Sequence, residues 1–138
     1  MNPGDLHVVV VSNDASVSGG AASVAIVSAA SLHDAAANVH FFSGSCPVGP
    51  LLAQRVFFFN DTATTEIYTE RGWRGLVAGL WDRSAAAELR AVLAPLPPDR
   101  TVVHFHSYAE RLSGSVTRVP REFGMRTAYT FHEYSLAC

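Results

Sequence analysis

Two histidines one residue apart, His104 and His106, are the side chains of this sequence best placed to do chemistry. They lie in Thr101–Tyr108, Thr-Val-Val-His-Phe-His-Ser-Tyr, a β-rich run that suits a central strand of a parallel sheet. Side chains alternate along a strand, so His104 and His106 share one side while Val103 and Phe105 share the other. Two imidazoles on one side of a strand can share a metal ion. A hydrolytic zinc site, however, normally takes a third protein ligand and often a carboxylate close by. Here Ser107, Tyr108 and Ala109 follow, and the nearest carboxylate is Glu110. A metal-dependent hydrolase using His104 and His106 is accordingly only the third reading, and no metal is expected. His104 is expected to be a satisfied core histidine. His106 sits where the strand opens into its loop, and ligands of open α/β sheets bind at the carboxyl ends of the strands. It is the functional candidate.

A second candidate lies near the start of the chain. Gly19 and Gly20 fall between the first strand and the first helix, where backbone N–H groups and the helix dipole favour an anion. Without Cβ atoms, a phosphate-bearing ligand can approach the backbone there. The alternative is a tight strand-to-helix turn that needs positive φ. A nicotinamide dinucleotide is not the expected ligand. The G-x-G-x-x-G spacing is missing, and the second strand ends in Ser43-Gly44 instead of the acid that binds a ribose.

The elements that must position these residues alternate. Leu6–Val11 is β-branched and reads as the first strand, and Ser12–Gly20 is a loop. Ala21–Ala35 is an Ala-rich helix with Val24, Val27 and Leu32 spaced for one face. Asn38–Phe42 is a second strand, closed by Ser43-Gly44-Ser45, after which no clear period holds to about Gly75. Leu76–Leu93 is helical, with Leu89, Val92 and Leu93 on one face, and Pro95, Pro97 and Pro98 end it. The Thr101–His106 strand follows, then a short helix around Ser113–Phe123 disturbed by Pro120, then a strand over Arg126–Phe131. Alternating β and α elements imply a Rossmann-like, doubly wound parallel sheet.

Composition narrows the class. The 138 residues allow one domain, and an apolar fraction of 49% with 16% charged residues describes a well-buried globular chain. A net charge of -2 gives no electrostatic footprint for nucleic acid. Cys46 and Cys138 have no metal-type spacing and fit a reducing compartment. Met1–Asp5 lacks the start of a signal peptide, and no apolar run approaches the ~20 residues of a membrane span. A cytoplasmic protein is expected.

The residues then resemble a known family. Val103-His-Phe-His-Ser-Tyr-Ala-Glu-Arg-Leu-Ser-Gly-Ser-Val116 is similar to the H-x-H-G-W-x-x-x-L-S-x-S segment of family 4-like glycosyltransferases. Ala128-Tyr-Thr-Phe-His-Glu-Tyr-Ser-Leu-Ala-Cys138 is similar to their T-x-H-D-Y-x-L-A-C segment. Both come in the family's order, and Gly19-Gly20 matches its glycine-rich first loop. The resemblance implies that residues 1–138 are part of the amino-terminal, acceptor-side domain of a GT-B enzyme. The chain would end inside a motif, with a carboxy-terminal donor domain missing. A nucleotide sugar would be the co-substrate and no further cofactor would be needed. A sugar, a lipid or a small molecule would be the acceptor, and a membrane surface is a further implied partner. Carried over by position, His106 would face the transferred sugar and help hold developing charge. Gly19 and Gly20 would lie near the donor diphosphate, with Ser107, Tyr108, His132, Glu133 and Tyr134 on the acceptor side. The chain departs from the pattern at Ser107 and Tyr108, where the family prefers Gly and Trp, and at Glu133, where it prefers Asp. The competing class is a nucleotide-binding or regulatory module without catalysis.

The aperiodic middle has another resemblance. Residues 57–69, Phe57-Phe-Phe-Asn-Asp-Thr-Ala-Thr-Thr-Glu-Ile-Tyr-Thr69, look like the in-frame translation of a sequencing-library adapter, without a break from Asn60 to Thr69. The alternative is a genuine hairpin, with Val56–Phe59 as one strand and a second through Ile67 and Tyr68. In the usual strand order 3-2-1-4-5-6 a damaged third strand is an edge, so the central strands pair without it. If the adapter reading holds, reads of the source DNA through Val56–Thr69 will lack the codons for Asn60–Thr69. Their presence in independent reads would restore the hairpin.

Overall fold

A computed structural model of the chain describes residues 2–44, 49–53, 57–60, 83–108 and 112–132. Five strands form one sheet: β1 (His7–Ser12), β2 (Asn38–Ser43), β3 (Phe57–Asn60), β4 (Thr101–Phe105) and β5 (Arg126–Tyr129). All pairings are parallel, in the order β3-β2-β1-β4-β5. This is an α/β arrangement of Rossmann-like type, with β3 at the edge. β3 lies beside β2 over Phe57–Asn60, whereas Ile67 and Tyr68 of the hairpin alternative lie outside the described residues.

β1 is the centre of the sheet. Val9, Val10 and Val11 are wholly buried because β1 has a strand on either side and covered faces above and below. Register carries its alternation to the neighbours: Val10 stands beside Phe41 and His104, and Val11 beside Phe42 and Phe105. One face gathers Val9, Val11, Phe42, Val103 and Phe105 under α3 (Arg83–Leu93). The other gathers Val8, Val10, Val39 and Phe41 under α1 (Gly20–Asp34), with the one-turn α2 (Pro50–Ala53) beside α1. Each such fully buried Val, Leu or Phe stabilises by ~1.5–3 kcal/mol.

α1 turns a different face to the sheet from the one its valines suggest. Ala22, Ala25, Ile26, Ala29 and Ala30 face inward, while Val24 and Val27 are 45% and 57% exposed. Alanines at i, i+3, i+7 and i+8 let the helix axis sit close to a flat strand surface, and Ile26 at i+4 supplies the bulk. In a helix apolar nearly all round, size does not mark the buried side. Leu32 alone of the expected face packs partly against the core. α3 keeps the expected stripe, with Leu89, Val92 and Leu93 buried; positions 76–82 lie outside the described residues.

The expected helix near Pro120 is two short pieces. Gly114–Arg118 is a 3-10 turn, and α4 (Val119–Glu122) begins with Pro120 in its first turn, where the absent N–H costs nothing. An exposed two-bond ion pair joins α3 to α4, Arg90 Nε and an NH2 nitrogen donating to the Glu122 carboxylate at 2.6 and 2.7 Å. At its start, Ser113 has φ 58 and ψ 171, a region almost reserved for glycine. Its hydroxyl accepts from Ser115 N at 3.4 Å and lies 2.9 Å from the Ser115 hydroxyl.

That conformation costs ~1–3 kcal/mol in a residue with a Cβ. Ser113→Ala keeps the strain and removes the hydroxyl, whereas Ser113→Gly removes both. Urea unfolding should find the glycine variant more stable than the alanine variant by about 1 kcal/mol or more. Equal stabilities would mean that the backbone at Ser113 stores no strain.

Candidate functional site

The strand order reverses between β1 and β4. α1 leads from β1 to β2 across one face, while α3 precedes β4 on the other, which makes the carboxyl ends of β1 and β4 the switch point of the sheet, where ligands of such folds bind. The ladder runs one residue past each strand there. His106 N donates to Val11 O at 2.9 Å, and Thr130 N donates to Phe105 O at 2.9 Å. These bonds fix Ser12, His106 and Thr130 side by side at the sheet's carboxyl edge.

His104 and His106 do share one face, with ring centroids 4.2 Å apart. His104 is half-buried and its Nε2 lies 2.8 Å from Thr130 Oγ1, so it is a satisfied structural histidine. His106 is 4% exposed. Its Nδ1 stands 3.2 Å from His132 Nε2, and the two rings stack at 5.5 Å. His106 Nε2 is sealed from solvent and has no hydrogen-bond partner among the described residues. Where His132 donates to Nδ1, this sealed nitrogen carries the proton and is a donor.

Burial, then the neighbouring His104 and His132, pushes the His106 imidazole down to about 4. Burial and His132 lower His104 as well. His106 is therefore neutral at pH 7, a hydrogen-bonding group without charge.

The other candidates are spread around this centre. Ser107 Oγ accepts a long bond from Asn13 N at 3.4 Å, and Ser43 Oγ donates to Asn13 O at 3.1 Å, so Asn13 bridges the ends of β2 and β4. Tyr108 turns to the opposite face from His106, packing edge-on against Phe105 at 5.8 Å, where burial raises its phenol. Glu133 and Tyr134 lie outside the described residues. Gly19 is extended, with φ 175, and neither it nor Gly20 lies in the left-handed region that a tight turn would require. Both are exposed, and a Cβ at either would meet nothing within 4 Å. This end of α1 is open. Among the described residues no three His, Cys, Asp or Glu side chains are grouped to hold a metal.

No family model, curated protein or solved structure matches this chain. Its site must be read from its own geometry. Ser12, Asn13 and Ser43 belong to no sequence motif, whereas Thr130 opens the T-x-H segment that also holds His132. Their signal is positional: small polar residues at the last rung of strands whose interiors are apolar.

The lowered His106 and His104 tie stability to pH. Both native pKa values lie below the unfolded 6.5, so the unfolded chain takes up protons first as pH falls. Their contribution is complete above pH 6.5 and is lost progressively toward about 4. The His106 ring resonances should stay at neutral positions from pH 7 to 5 in an NMR titration. Thermal unfolding should show a steeper loss of Tm over pH 6.5 to 4 than His106→Gln does. A midpoint near 6.5 for His106 would contradict its burial.

Proposed function

We propose that this chain is the acceptor-side half of a GT-B-type glycosyltransferase, which moves a sugar from a nucleotide-sugar donor to an acceptor. The observation that carries the reading is the sealed, unpartnered Nε2 of His106 at the carboxyl end of β4, beside the reversal of strand order. A buried polar atom without a partner costs ~1–3 kcal/mol, and such a cost is met where a ligand supplies the missing bond. The motif resemblance around His104–Ser115 and Ala128–Cys138 supports the same assignment.

In this reading His132 holds the His106 ring through Nδ1, and His106 offers its Nε2–H to charge developing as the glycosidic bond breaks. A donor aimed there strengthens as charge grows, which stabilises the transition state more than the bound substrate. The open Gly19–Gly20 end of α1 receives the donor diphosphate. The nucleotide's base and ribose are held by a second domain. The acceptor, a sugar, a lipid or a small molecule, enters on the side of Ser107 and His132, and a lipid acceptor would bring the site to a membrane surface. Neutral His106 suits this role because it donates without attracting a counter-anion.

The test uses a chain extended by its donor domain, with labelled nucleotide sugars and lipid or sugar acceptors. His106→Ala should lower kcat by ~10²-fold or more. A change confined to KM would mark uniform binding instead. His104→Ala should mainly lower Tm. The 138-residue chain alone should transfer no sugar, because one wall of a two-walled cleft leaves His106 without a closed site. Turnover by the isolated chain, or a greater loss of kcat at His104 than at His106, would overturn the assignment.

A further inference from the structure

His106 is not the only polar group left unsatisfied at this edge. Ser12 is wholly buried and its Oγ also has no hydrogen-bond partner among the described residues. The two belong together by register. Val11 pairs with Phe105, and the bond from His106 N to Val11 O carries the ladder one rung further, setting Ser12 beside His106. Neighbouring strands are ~4.8 Å apart, and residues level with each other project to the same face. Ser12 follows the alternation of Val8 and Val10, the face on which His104 and His106 lie. Two orphan polar atoms thus occupy adjacent positions, one on each strand flanking the switch point.

We propose that Ser12 Oγ and His106 Nε2 together receive one neutral hydroxyl group of the ligand, which makes Ser12 a specificity-determining residue of the site. The inference rests on the proposed transferase site but concerns only what the site binds. A serine hydroxyl both donates and accepts, and a neutral imidazole nitrogen does one or the other. The complementary group is an oxygen that also does both: the hydroxyl of a polyol or sugar. A phosphate or carboxylate finds no cation in this pair to offset the cost of burying its charge, whereas a hydroxyl meets Nε2 in either tautomer. The ligand class is therefore a neutral polyhydroxyl compound.

A purely structural serine loses stability when its hydroxyl is removed. Ser12 should not. With no bond to lose in the free protein, Ser12→Ala deletes a buried unsatisfied group, and Tm should hold or rise. Ligand binding should move the other way.

The experiment follows the His106 ring by NMR in the 138-residue chain while D-glucose, D-mannose or myo-inositol is added, with inorganic phosphate as the anionic comparison. A polyol should shift the His106 resonances, and Ser12→Ala should weaken that polyol ~10-fold while leaving the fold intact. Ser12→Gly serves as a second variant should the alanine protein not fold. The proposal is overturned if no polyol perturbs His106, if phosphate perturbs it instead, if the variants bind polyol as the parent does, or if Tm falls in both. No transfer is read here. A polyol effect without glycosyl transfer in the extended protein would count against the transferase reading alone.

Discussion

Everything in this chain hangs on the pairing of β1 between two parallel strands. Val8–Val11 can only be apolar there, since a polar side chain would be buried on a face already covered by α1 or α3. The same pairing dictates register. A slip of one residue between β1 and β4 would send His104 and His106 into the cluster of Val103, Leu89 and Leu93. It would also bring Phe105 to the half-covered face. The apolar alternation of β1 therefore fixes not only the core but which side of the sheet presents imidazoles.

Given that register, the site is an electrostatic consequence of where cover ends. On the α1 face, β4 runs from half-buried Val102 through half-buried His104 to buried His106. Burial disfavours the charged forms of His104 and His106, and the neighbouring imidazoles, with stacked or tilted rings, add repulsion. These two rings are held neutral and bond through nitrogen. His104 satisfies this through Thr130 and His106 half-satisfies it through His132, which leaves one nitrogen over. A neutral imidazole with one nitrogen left over in a dry place is what the proposed site for a neutral hydroxyl requires.

Much of this was legible in the residues. Strands rich in Val and Phe announce themselves because burial on both faces admits little else, and the His104-x-His106 spacing determines their shared side. α1 was misread because alanine makes a face by absence: Val24 and Val27 look like the core positions and point outward. The resemblance implies an acceptor-side Tyr108; in the fold the chain turns after the strand and the ring packs edge-on against Phe105. Ser12 reads in sequence as the start of a loop and in the fold ends β1. Its meaning depends on a bond it does not make, and a missing partner leaves no trace in sequence.

The two faces of the β4–β5 end also explain why histidine, and not leucine, occupies position 104. On the α3 face, aromatic rings form a ladder: Phe105 stacks on Tyr129 at 5.1 Å, and Tyr129 on Phe131 at 6.2 Å. That ladder emerges from the core into solvent, with Phe131 66% exposed. The opposite face of β4 and β5 is half-covered: Val102, His104, Ala128 and Thr130 are all half-buried. An apolar residue at 104 would make both faces of this sheet end greasy beside the exposed β5 edge, a combination that invites strand-to-strand association. A charged residue would be driven from the sheet by its half-burial. Histidine at its lowered pKa meets both demands, apolar enough to lie against Val10's strand and polar enough to bond Thr130. The imidazole pair thus begins as a solution to incomplete cover, and the chemistry of His106 is built on a residue the fold had reason to place.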